Sequence, residues 1–115
     1  MFSVALDAMG GDYGPIETIE AALKIINDHG YVVYLVGEES KINNILSGKS
    51  YDKSLLYVVN ADNVIHDNDN PLKALREKPN ASIIQCMNLA KAGTVDAVVS
   101  MGSTGASMAS ASLIL

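Results

Sequence analysis

The sequence predicts an α/β fold, an open and mainly parallel sheet with helices on both faces. Three observations carry that expectation. Four short apolar runs, FSVALD at 2–7, YVVYLVG at 31–37, SLLYVVN at 54–60 and VDAVVS at 95–100, are β-branched and nearly continuous. Strands covered on both faces have that character, whereas half-exposed strands alternate. The segments between them place apolar residues at three- and four-residue spacing, as amphipathic helices do. The resulting order, β-α-β-α-β-(α-α)-β-α, calls for right-handed crossovers between parallel strands.

Each element has its own local signals. The first helix, over 16–28, carries Ile16, Ile19, Leu23 and Ile26 on one face, and Gly30 stops it before the second strand. The second, over 38–47, places Ile42, Ile45 and Leu46 together behind Glu38 and Glu39, whose charges suit a helix N-terminus. The polar run NADNVIHDNDN at 60–70 reads as a loop. Asn70 then caps a third helix with Pro71 at its first position, and Pro79 ends it. A fourth helix over 81–92 gathers Ile83, Cys86, Met87 and Ala90, and Gly93 terminates it. Tyr31, Tyr34 and Tyr57 read as packing residues in strands. From Ser103 the run STGASMASASLIL resembles a helix that stops without a cap. Small and apolar residues there would normally pack beneath further sheet, so we expect a truncated portion of a larger α/β domain; the alternative is a small complete domain.

Composition narrows the class of function. The chain has 115 residues, 49% hydrophobic and 18% charged, which fits one ordered domain rather than a disordered or coiled-coil segment. A chain of this size buries roughly two thirds of its unfolded surface, so a core needs no metal or disulfide staple. Its single cysteine, Cys86, forms no internal disulfide and no multi-thiolate metal site, which suits a reducing compartment. A net charge of −5 leaves too few basic residues for a general nucleic-acid binder. There is no leader-like N-terminus and no apolar run near the roughly 20 residues that span a bilayer, and a cytoplasmic location is expected. Asn80-Ala81-Ser82 matches a glycosylation sequon, which without an export signal goes unused.

Two glycine-rich strand ends carry the chemistry. The turn DAMGGDYGP at 7–15 joins the first strand to the first helix, and Gly10, Gly11 and Gly14 permit close backbone approach there. In open parallel sheets ligands bind at the carboxyl ends of strands. Asp7 and Asp12 would repel an anion unless turned away, protonated or bonded to amides or a cation; alternatively Asp12 simply caps a tight turn. The second, SMGSTGAS at 100–107, offers hydroxyls from Ser100, Ser103, Thr104 and Ser107. Gly102 and Gly105 there can expose N–H groups to a phosphate, or the hydroxyls can serve only as caps.

Other candidates are weaker. Neither loop has the GxGxxG spacing, and Gly48-Lys49-Ser50 lacks the partner glycine of a Walker loop because Asn43 stands there. Asp62, His66, Asp67 and Asp69 share a loop, but such spacing is common in solvated turns, and no metal is expected. His66 has no identifiable orienting partner for work as a general base. Arg76 and Lys78 can balance an anion or belong to an ordinary helix surface. Cys86, in mid-helix, reads as a small core residue rather than a nucleophile.

The pieces VALDAMGGDYGP at 4–15, YLVG at 34–37, NPLKALREK at 70–78 and VDAVVSMGSTGASM at 95–108 resemble, in order, the N-terminal part of the bacterial phosphate acyltransferase (PlsX) family of fatty acid and phospholipid synthesis. The family's second loop usually reads glycine, asparagine, threonine, glycine; this chain has Gly102, Ser103, Thr104 and Gly105. Serine keeps a hydrogen-bonding group but lacks the amide's paired donor and acceptor. Asp7, Gly10, Gly11, Asp12 and Pro15 follow the opening pattern.

The resemblance implies a layered α/β/α fold similar to that of isocitrate and isopropylmalate dehydrogenases, a homodimer, and no cofactor. The implied reaction moves a long-chain acyl group from acyl carrier protein to inorganic phosphate, and the acyl phosphate feeds phospholipid synthesis at the membrane. Members are much longer than this chain, so residues 1–115 are expected to be the N-terminal portion of a single larger α/β catalytic domain; a carrier-docking patch and any peripheral membrane contact are expected from regions beyond Leu115 or from the other subunit, and the 115 residues alone are expected to lack substantial activity. On this reading Ser100, Gly102, Ser103, Thr104 and Gly105 bind phosphate, Asp7, Asp12 and Thr104 are catalytic, and Gly10 and Gly11 shape the opposite wall. The alternatives are a phosphotransacetylase-like or dehydrogenase-like enzyme of similar fold, or a noncatalytic domain that binds carrier protein.

Overall fold

Strand β1 (Ser3–Asp7) is buried at every position because it lies between two parallel partners. The computed structural model describes residues 2–9, 15–62, 70–78, 80–100 and 114. After β1 come α1 (Pro15–His29), β2 (Val32–Gly37), α2 (Glu39–Leu46), β3 (Leu56–Asn60), α3 (Pro71–Glu77), α4 (Ser82–Lys91) and β4 (Ala97–Ser100). The four strands form one parallel sheet in the order β3-β2-β1-β4. Ala5 lies opposite Tyr34 on one side and Val98 on the other, and Asp7 lies opposite Val36 and Ser100.

The period of two along each strand sorts the core into layers. Val4, Leu6, Val33 and Leu35 face α1 and α2, packing with Ile19, Ala22 and Ile26 of the first helix and Ile42 and Leu46 of the second. Ala5 and Val36 face the other way and pack with Cys86 of α4. Ala74 of α3 joins Ile83, Ile84 and Met87 of α4 in a further cluster, against which Val98 and Ile114 are packed. Helices thus cover both faces, as the continuous apolar runs require.

Local signals set several of the boundaries. The Asn70 side chain accepts the Lys73 N–H at 3.1 Å, with Pro71 at the start of α3. Gly30 and Gly93 follow α1 and α4 with φ of 68° and 77°, a left-handed geometry costly for other residues. The cap of α2 is less local: Glu38 makes no side-chain capping bond, and Asn60 at the end of β3 accepts the Glu39 N–H at 3.1 Å.

The structure departs from expectation in five places, the first being that the fourth strand begins at Ala97 rather than 95. Ile16 is 55% exposed, because the first turn of α1 lies outside the core cluster that holds Ile19 and Ile26. The third strand begins at Leu56 rather than 54; Asp52 accepts both the N–H and the hydroxyl of Ser54, winding Lys53–Leu55 into a single 3-10 turn. Strands β3 and β4 are only partly buried, since they are the outer strands of the described sheet. Tyr31 precedes β2, while Tyr34 and Tyr57 do sit in neighbouring strands and stack with centroids 4.9 Å apart. The helix expected from Ser103 lies outside the described residues apart from helical, partly buried Ile114.

Candidate functional site

The order of strands places the site. From β1 through α1, β2 and α2 to β3 the chain steps one way across the sheet with its helices on one face. The α3-α4 connection then returns over the opposite face and sets β4 on the far side of β1. Right-handed crossovers require that change of face when the direction reverses. Between β1 and β4 the strand order therefore reverses, and the carboxyl ends of the two strands that part there define the crevice where open α/β sheets bind ligands.

Asp7 and Ser100 end those two strands. They are paired in register, and the Ser100 Oγ donates to Asp7 Oδ2 at 3.3 Å. Asp7 is 4% exposed and its Oδ1 accepts the Met9 N–H at 3.1 Å. A buried carboxylate needs such donors to offset lost hydration, and two donors leave acceptor capacity over. The register is fixed at the opposite end of the same strands. Asp96 Oδ2 accepts the Ser3 N–H at 2.9 Å, the Asp96 N–H donates to the Ser3 carbonyl at 2.9 Å, and the Ser3 hydroxyl donates to the Thr94 carbonyl at 3.1 Å. Four residues farther along each strand, on the same face, come Asp7 and Ser100.

The turn after β1 is held against the end of β2. The Ala8 N–H donates to the Val36 carbonyl at 2.8 Å, and a Cβ on Gly37 would meet Met9 Cγ at 2.7 Å. A side chain at 37 would therefore force the Met9 side chain to shift, and Met9 supplies the amide that Asp7 accepts. On the α1 face, a cleft of about 460 Å³ opens beside Asp7, lined by Thr18 and Lys24 of α1 and by half-exposed Val99 of β4.

The remaining candidates divide by position. Gly10, Gly11, Asp12, Gly14, Gly102, Ser103, Thr104, Gly105 and Ser107 lie outside the described residues, as do His66, Asp67 and Asp69. Arg76 is exposed in the last turn of α3; Lys78 is partly buried at its C-cap, its carbonyl accepting the Ala81 N–H at 3.0 Å. Asp62 accepts from the Asn60 amide at 3.0 Å and so belongs with the cap of α2. No three potential metal ligands cluster among the described residues. Gly48-Lys49-Ser50 follows α2 rather than a strand, so it is not a phosphate loop of the Walker kind. No described helix is long and apolar enough to cross a membrane.

Cys86 is fully buried, and burial followed by the nearby charge of Asp7 pushes its thiol well above the usual range. It is a core residue, as its mid-helix position suggested, clustered with Ala5 and Val36 on the sheet face that α4 covers. A thiol kept protonated reacts slowly. Cys86 is expected to resist an aromatic disulfide reagent at pH 8 until denaturant is added, a contrast followed by absorbance. Because its folded pKa is raised, its contribution to stability is complete below about pH 8.5 and declines above it. Cys86→Ala should remove that part of the decline.

Fold and site together define an open parallel α/β protein with a buried Asp–Ser pair at a reversal of strand order. A family model described as fatty acid synthesis protein matches residues 2–115. The phosphate acyltransferase of Dictyoglomus thermophilum is 47% identical over 112 residues, 97% of this chain and 33% of that protein. Those of Desulforamulus reducens and Syntrophomonas wolfei are 44% and 43% identical, covering 100% and 97% of this chain and 34% and 35% of theirs. The chain belongs to the fatty acid synthesis protein family, the family that its two glycine-rich motifs resembled. It spans about a third of the length of the curated relatives it matches.

Proposed function

We propose that this chain contributes the phosphate-side half of the active site of an acyltransferase that moves a long-chain acyl group from acyl carrier protein to inorganic phosphate. The observation that carries this reading is the Asp7–Ser100 pair at the reversal of strand order, because it brings both glycine-rich strand ends to one crevice. Membership of the fatty acid synthesis protein family and similarity to proteins named phosphate acyltransferase support the reaction.

In the proposed reaction a phosphate oxygen attacks the thioester carbonyl, the tetrahedral intermediate collapses, and the carbon–sulfur bond breaks to release the carrier's thiol. Phosphate near neutral pH is already partly dianionic and needs no strong base. Catalysis then consists of alignment and of stabilising the oxyanion. We assign phosphate binding to the amides around Gly102 and Gly105 with Ser100, Ser103 and Thr104. Gly10 and Gly11 shape the facing wall, Asp7 and Asp12 orient the reacting groups or the donors around them, and Arg76 and Lys78 add positive charge at a distance. No cofactor enters this scheme.

The wider reading is of a cytoplasmic homodimer with the layered fold of the isocitrate and isopropylmalate dehydrogenases, this chain being the N-terminal portion of its catalytic domain. Carrier docking and peripheral membrane contact belong to other parts of the protein. The test is acyl-phosphate formation by the protein expressed from its complete reading frame, supplied with long-chain acyl carrier protein with and without inorganic phosphate. Phosphate-dependent product is expected; a folded protein that gives none would overturn the reading.

A further inference from the structure

We propose that the N-terminus of α4, together with the Ser82 hydroxyl, is a binding subsite for the phosphate dianion. Its assignment to the phosphate consumed in the reaction rests on the transferase reading above. Ser82 opens a helix of ten residues and is 1% exposed, yet its Oγ has no hydrogen-bond partner. Buried hydroxyls are normally satisfied, so an orphan of this kind points to a ligand that completes it. Ala81 at the N-cap makes no side-chain capping bond and the first turn carries no acidic residue, so α4 supplies no negative group of its own to the positive end of its dipole.

The orientation of α4 brings this end to the crevice. The helix belongs to the connection from the carboxyl end of β3 to the start of β4, so it runs opposite to the strands and its N-terminus lies at the edge where Asp7 and Ser100 stand. Cys86 shares the face of Ser82, four residues on, and packs on Ala5 and Val36 while responding to the charge of Asp7. Ser82 lies one turn, about 6 Å, nearer the carboxyl edge along that face. Side chains of a helix tilt toward its N-terminus, which directs the hydroxyl toward the first-turn amides. A phosphate there accepts from the hydroxyl and from first-turn N–H groups. The Asp7 carboxylate at the same edge is already engaged by the Met9 N–H and the Ser100 hydroxyl.

In the sequence Ser82 stands out only as the third residue of a sequon. The test uses the protein from its complete reading frame. Titration with inorganic phosphate, with nitrogen-labelled isoleucine reporting Ile83 and Ile84, should shift both amides. Ser82→Ala should weaken phosphate binding and raise its KM at least tenfold, equivalent to about 1.4 kcal/mol. The unfolding midpoint should hold or rise, since no bond within the fold is lost, and Ser82→Thr should retain binding. Unshifted amides, an unchanged phosphate Kd in Ser82→Ala, or a response to phosphopantetheine alone would overturn the subsite. If Ser82→Ala fails to fold, the amide shifts of the unsubstituted protein decide. Acyl-phosphate formation by the unsubstituted protein separates the two readings: turnover with a phosphate KM indifferent to Ser82→Ala removes only the subsite, whereas phosphate binding sensitive to Ser82→Ala without turnover removes only the transferase.

Discussion

Asp7→Asn, in the protein expressed from its complete reading frame, is expected to lower kcat for acyl-phosphate formation about 100-fold while leaving the fold in place. The size of the effect follows from what the substitution removes. Asp7 is buried at the end of β1, one oxygen held by the Met9 N–H and the other by the Ser100 hydroxyl. Asparagine keeps an acceptor oxygen for Met9, and its amide can donate to Ser100, whose hydroxyl rotates to accept. The two contacts survive in altered form, at a cost of about 1 kcal/mol in unfolding free energy. The negative charge does not survive. A preorganised group acting on the reacting atoms or their donors contributes about 10²–10³ in rate. Steady-state kinetics beside urea unfolding distinguish the outcomes: full turnover with an intact fold would reduce Asp7 to a structural tie between β1 and β4, and loss of folding would make the same tie essential to the sheet.

Much of this fold was legible from the sequence because the relevant signals are local. The Asn70-Pro71 start of α3 and the glycines after α1 and α4 act through residues within one turn of the helix they delimit. The four strands are visible as apolar runs because the sheet is covered on both faces. Information carried by distant pairs was not legible. The cap of α2 comes from Asn60, 21 residues after the amide it serves. The burial of Ile19 but not Ile16 depends on where α1 meets the sheet, which helical spacing does not encode. At the candidate site the sequence marked Asp7 and Ser100 separately, as members of two glycine-rich turns. That they pair across 93 residues follows from the return of α3 and α4 over the second face and from the Ser3–Asp96 bonds that set the register. Ser82 was missed for another reason: serine near a helix start normally reads as a cap, and only its burial without a partner sets it apart.

Leu35→Ala is expected to destabilise the fold by about 2–5 kcal/mol, the range for truncating a buried leucine whose cavity cannot collapse. Leu35 lies in β2, the inner strand between β1 and β3, fully buried on the face covered by α1 and α2. Its neighbours in that cluster come from both helices and both flanking strands, including Leu6, Ile19, Ile42 and Val58. A cavity there has rigid walls on every side, because each wall is itself tied into the parallel ladder or pinned beneath a helix. Against a total of about 5–15 kcal/mol for a folded domain, the loss is a large share. Leu72→Ala, at a residue 58% exposed on α3, provides the contrast and should change stability by no more than about 0.5 kcal/mol. Paired urea titrations read both. A cost below about 1 kcal/mol for Leu35→Ala would mean that the α1–α2 layer does not close over the sheet. The crevice would then lose its support, since β1, which carries Asp7, is held on that face by the same cluster through Val4 and Leu6.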